Sequence, residues 1–192
     1  KRFSLDGQLK AAYGRDGGRL EGTYDPTGFL GVSGIAADGK GGFIVAEEKS
    51  APRRVAHFDA DGNLVSEWYG SQPYYTWGEP DPRDPSKVWF NPGSWLALAE
   101  IDYASGDWRV LETYHIARMA DGLVRPMSHR GRWRVLYHED RRYLVAEGGG
   151  PPQVLAHEAG SLRPSSVIGD GRQVQKALDL ANRAEDETAK EI

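Results

Sequence analysis

The chain has 192 residues and a formal net charge of −4, with 24 glycines, 11 prolines, 10% aromatic residues and no cysteine. That glycine and proline density, combined with aromatics, belongs to turn-rich β proteins rather than helix bundles. The absence of cysteine excludes disulfides, thiolate metal sites and a cysteine nucleophile. The mildly acidic balance gives no general pull toward nucleic acid or anionic lipid, and no apolar run reaches the length of a membrane span.

Residues 1–14 (KRFSLDGQLKAAYG) hold two short strand patterns around Asp6-Gly7. The chain opens without Met and inside a strand pattern, so it is expected to be part of a longer or processed polypeptide. Residues 15–33 are glycine-rich and polar, with Pro26, and read as a loop. Four strands are then expected over 34–38, 42–47, 54–59 and 64–70, divided by glycine and Asp-Gly turns short enough for an antiparallel meander. Such a unit cannot bury both faces alone and needs neighbours like itself.

Residues 71–87 carry Pro73, Pro80, Pro82 and Pro85. Prolines at that density exclude a central strand and predict a surface insertion. A strand is expected at 88–90, then a hairpin from 95–102 and 108–114, with a further strand over 117–128. A third set follows at 132–137, 142–147, 153–157 and 162–169. Alternation in the first of these places Trp133, Val135 and Tyr137 on one face, and Arg132 and Arg134 toward solvent. At the end, Asp170 and Gln173 have the spacing of a capping box, and Val174, Ala177, Leu178, Ala181 and Ala184 recur at helical intervals, which predicts an amphipathic helix over 170–192.

GIAAD at 34–38, FIVAE at 43–47, RRVAHFDADG at 53–62 and WYG at 68–70 resemble the repeat of the NHL-repeat β-propellers. YLVAE at 143–147, QVLAH at 153–157 and VIG at 167–169 match the same pattern from its second strand onward, and LALAEID at 96–102 stands for a divergent copy. The resemblance implies an all-β fold, a β-propeller or propeller segment of four-stranded antiparallel blades with a C-terminal α-helix. Residues 1–14 would be the last strands of a preceding blade, 29–70 a blade, 71–127 the aromatic, proline-rich insertion and a divergent blade, 129–169 another blade, and 170–192 the helix. A closed ring needs about four blades or more, so the resemblance also implies partner blades from a longer chain or from other copies of itself. It further implies a secreted or periplasmic bacterial protein.

The expected function is that of a non-catalytic interaction module that binds a protein or carbohydrate ligand. Trp68, Tyr74, Tyr75, Trp77, Trp89 and Trp95 fall close together among prolines, and rigid aromatics on a braced loop suit stacking on sugars or filling a partner's pocket. A rival reading rests on Glu47, Glu100 and Glu147, each near the end of a second strand. Equivalent positions ring a propeller's axis, where carboxylates joined by His57 or His157 would hold a divalent cation for a lyase or hydrolase. A third reading is RNA binding through Arg125, Arg130, Arg132, Arg134, Arg141 and Arg142, though Glu139 and Asp140 interrupt that cluster. Asp59-Ala60-Asp61-Gly62-Asn63 resembles the start of a calcium loop, but its sixth and twelfth positions would be Leu64 and Gly70, so it reads as a hairpin turn. No nucleophile elbow or phosphate loop is present. No cofactor is expected beyond that cation.

Overall fold

A computed structural model describes residues 1–49, 52–70, 78–90, 95–115, 132–138, 140–147, 153–164, 179 and 183. Its strands in the first part of the chain are β1 (Arg2–Phe3), β2 (Leu9–Ala11), β3 (Gly22–Thr23), β4 (Val32–Ala37), β5 (Phe43–Glu47), β6 (Arg54–Phe58) and β7 (Leu64–Tyr69). They continue with β8 (Gly78–Asp81), β9 (Asp84–Phe90), β10 (Trp95–Ile101), β11 (Trp108–His115), β12 (Arg132–His138), β13 (Arg141–Glu147), β14 (Gln153–Glu158) and β15 (Ser161–Pro164). All sheet pairings are antiparallel. The chain divides into two compact units, Lys1–Leu20 with Tyr24–Pro73, and Glu21–Thr23 with Tyr74–Ile192.

The first unit contains the sheet β4-β5-β6-β7, in sequence order, as the turn spacing predicts. Its turns are closed by aspartates. Asp59 accepts backbone hydrogen bonds from Asp61 and Asn63, both at 2.9 Å, so the carboxylate that resembles a calcium ligand organises its own turn. Gly62 in that turn has φ +90°, and a side chain there would meet the Tyr13 ring at 2.6 Å. The register sets two faces. Ile35, Val45, Ala56 and Glu67 are cross-strand partners on one of them, and Gly34, Ala46, Val55 and Trp68 form a row on the other. The first face holds the core, with Val45, Ala56 and Phe58 buried beneath Phe29, Phe43 and Leu64. Phe43 stacks on Phe58 at 5.2 Å, and Phe29 meets Phe58 edge-on at 5.4 Å.

In the second unit the sheets are β3-β11-β10-β9-β8 and β12-β13-β14-β15. Trp89, Leu96, Leu98 and Tyr114 from the first pack against Val135, Leu144, Leu155 and Leu162 from the second. Residues 78–87, expected within the surface insertion, instead form β8 and the first part of β9, which pairs on both sides and continues through the strand expected at 88–90. The sheet tolerates the prolines because Pro80 sits on the edge strand β8, and Pro85 precedes Lys87, where pairing with β10 begins. The strand expected at 117–128 lies outside the described residues, and β11 is instead flanked by Gly22–Thr23, from a stretch that reads as loop. Arg134 is 6% exposed, not solvated, because the sheet β12–β15 is covered on both faces: Tyr143, Leu144 and Val145 are consecutive and all buried. Of the helix expected over 170–192, only Asp179 and Arg183 are described, both in helical conformation, which is too little to make an element.

Candidate functional site

Among the described residues, three places bear on function. The first is a charge cluster on the core face of β4–β7. Glu47 lies between Arg19 and Arg54, with all three side chains fully buried. Arg19 Nη2 donates to both carboxylate oxygens at 3.1 and 3.0 Å, Arg54 Nε donates to Oε2, and the Leu30 backbone N–H donates to Oε1. Arg54 then reaches Glu67 Oε2 at 2.6 Å, the Tyr24 hydroxyl at 2.8 Å and the Pro26 carbonyl at 2.5 Å. Burial holds the Tyr24 hydroxyl well above the ordinary phenol range, so it stays protonated and donates to Glu67 at 2.9 Å. The two guanidinium charges meet two carboxylates and the cluster is neutral. It pins Arg19, Tyr24, Pro26 and Leu30 onto the sheet.

The second is a polar line between the two sheets of the second unit. Asp81, fully buried, accepts from the Tyr137 hydroxyl at 2.8 and 2.9 Å and pairs with Arg142 Nε at 2.8 Å. Arg142 Nη1 lies 3.2 Å from His157 Nδ1, and His157 Nε2 lies 2.7 Å from Glu112 Oε2. A guanidinium only donates, so Nδ1 is the acceptor and the imidazole proton resides on Nε2, directed at Glu112. Tyr114 donates to the same carboxylate, and Trp89 closes the line with its ring edge-on to His157 at 4.8 Å. Each member holds another, and together they tie β8 to β12 and β13, and β11 to β14.

Burial alone would push the Glu112 carboxyl up, but the hydrogen bonds from His157 and Tyr114 outweigh it and hold the group below its ordinary 4.5. A carboxyl depressed in the folded state contributes stability above its unfolded value, and that contribution is lost as pH falls through the folded one. The second unit is therefore expected to lose stability progressively below about pH 4.5. Amide exchange of β11 and β14 measured against pH reads this out. Glu112→Gln should flatten that part of the acid slope, and an unchanged slope would remove Glu112 as its source.

The third place is the outer face of β4–β7. Trp68 is 58% exposed and Val55, its cross-strand partner, 40%. Ala46 and Gly34 complete the row, so an apolar strip crosses all four strands.

The residues singled out in the sequence scatter across these places. Of the aromatics, Trp68 alone is described as exposed. Trp89 is fully buried and Trp95 is 8% exposed, so both are core residues rather than contact residues; Tyr74, Tyr75 and Trp77 lie outside the described residues. Glu47 is consumed by two arginines, and Glu100 pairs with Arg109 at 2.7 Å. Glu147 ends β13 opposite Arg132, and its side chain lies outside the described part. Among the described residues no group of three or more acidic or histidine side chains is arranged to hold a metal ion. His57 pairs with Asp38 at 2.9 Å, whereas His157 is in the polar line. Arg142 is in that line too; Arg141 is exposed, and Arg125 and Arg130 lie outside the described residues.

The residues that matter most to these clusters, Arg19, Tyr24, Asp81 and Glu112, carry no sequence signal that would single them out. Each lies 28 or more residues from at least one partner. Compared with protein-family models, curated proteins and solved structures, the chain matches none.

Proposed function

We propose that the chain is a non-catalytic interaction module, built from propeller-type blades, that holds a protein partner on the outer face of β4–β7. The observation that carries this reading is Trp68, 58% exposed in the row Gly34, Ala46, Val55, Trp68, on a sheet whose opposite face already holds a core. An indole left in water contributes nothing to folding, and its burial is available to association. A row of small and apolar side chains across a sheet suits packing by another sheet. The propeller-type architecture draws support from two sheets of four sequential antiparallel strands and from the repeated Val-Ala-Glu segments. The non-catalytic side draws support from Glu47 and Glu112, whose charges are met by the chain's own donors.

The test is affinity capture on a cell extract, with a glycan array in parallel, using the native chain and Trp68→Ala. A central indole at an interface is worth about 2 kcal/mol or more, so the variant should bind the captured protein about thirtyfold more weakly. Glycan binding lost in the variant would change the ligand class. Undiminished binding would move the contact off this face.

A further inference from the structure

The outer face of β4–β7 grades in size from one edge to the other. Along the row Gly34, Ala46, Val55, Trp68 the side chain grows at every strand, from none on β4 to an indole on β7. The low end is open: a Cβ built on Gly34 would meet only the Ala46 methyl, at 3.8 Å. A level partner surface that covers Trp68 would leave a gap over Gly34 and Ala46, and a gap forfeits dispersion contacts. Charge is graded across the neighbouring row of the same face. Strand alternation puts Glu48 two residues beyond Ala46, and Arg53 two residues before Val55. The Arg53 Nε donates to the Glu48 backbone carbonyl at 3.3 Å, so the two sit side by side. The Glu48 carboxylate lies 3.6 Å from the Lys49 ammonium with both side chains mostly exposed, which leaves it open to a further cation.

Both gradients are self-complementary under one symmetry operation. A two-fold axis between two copies, parallel to the strands, sets β4 of one over β7 of the other and β5 over β6. Gly34 then faces Trp68, Ala46 faces Val55 and Glu48 faces Arg53, each pair occurring twice. In the remaining row Ile44 faces His57 and Ala36 faces Ser66, so no like charges meet. An axis across the strands would instead set β7 over β7 and pile the bulky side chains on one another. We infer that the partner held on this face is a second copy of the chain, packed face to face about the axis along the strands. The inference rests on the reading of the Trp68 face as an interaction surface and names its occupant. A sugar would stack on the indole but leave the Gly34 shelf and the Glu48–Arg53 row unused. Four short strands make a small interface, so a dissociation constant in the micromolar range is expected.

Sedimentation equilibrium of the whole chain, with circular dichroism to show that each variant is folded, tests this. The native chain is expected to dimerise reversibly. Trp68→Ala removes an indole from each copy and should weaken dimerisation about a hundredfold or more. Glu48→Arg and Arg53→Glu should each weaken it about tenfold, because each sets like charges opposite one another at both ends of the two-fold pair. Mixed in equal amounts, these two variants should associate with each other at near-native strength, since the new cation of one meets the new anion of the other. Mixing cannot restore a contact made within a single chain. A native chain that stays monomeric far above the micromolar range, or a mixture no stronger than either variant alone, would overturn the second copy as occupant. Trp68-dependent capture of a different protein by a monomeric chain would keep the face and change its occupant. Dimerisation that Trp68→Ala does not weaken would remove the face itself.

Discussion

Glu47→Ala is expected to destabilise the first unit by about 3–5 kcal/mol, the range for removing one member of a buried ion network. The substitution leaves the Arg19 and Arg54 guanidiniums without their shared anion at positions where both side chains are fully buried. It also orphans the Leu30 N–H, which holds the covering segment to the sheet. Native-state amide exchange of β5 and β6 measures the loss. Glu48→Ala, one residue on and exposed, should stay within about 0.5 kcal/mol. Glu47→Gln keeps an acceptor for one arginine and for Leu30 and should fall between the two. A loss under about 1 kcal/mol for the alanine variant would mean that water or another anion takes the place of Glu47, and the cluster would not clamp the covering segment to the sheet.

Trp89→Ala is the second large effect, at about 3–5 kcal/mol for deleting a buried indole. Trp89 is fully buried and stacks on Tyr114 at 6.4 Å as well as meeting His157 edge-on, so its loss opens the space between the two sheets and loosens the polar line. Chemical denaturation followed by near-ultraviolet circular dichroism compares it with Trp68→Ala, which should change stability by no more than about 0.5 kcal/mol. The two tryptophans thus separate by function: one costs folding and spares binding, the other the reverse. Equal destabilisation by both would contradict the assignment of Trp68 to a free face.

The first unit was the most legible part of the chain. Phe43, Val45 and Glu47 alternate with Ile44 and Ala46, and the Asp38 and Asp59 turns bracket them, so strand limits follow from local chemistry within a residue or two. The second unit was less so. Prolines at 80, 82 and 85 read as the end of regular structure, because a proline is excluded only from positions that must donate, and donation depends on which neighbour strand lies alongside. β3 is two residues long and has no signal of its own; it exists because β11 offers it an edge.

What the sequence determined by itself was the all-β character, the antiparallel meander over residues 34–70 and the role of the Asp59 turn. These rest on period-two alternation and on glycine and aspartate geometry, which act over a few residues. Only the tertiary structure decided which face of each strand is covered and which charges meet. Trp68 and Trp89 are alike as sequence, each near the end of a short expected strand, yet one is in solvent and the other in the core. The difference is supplied by residues far along the chain: Val135, Leu144 and Leu155 in the cluster that buries Trp89, and nothing described over Trp68. Glu47 looked like an open carboxylate until Arg19, 28 residues earlier, was placed against it. Burial and ion pairing are properties of contacts, and contacts at that separation are created by the fold.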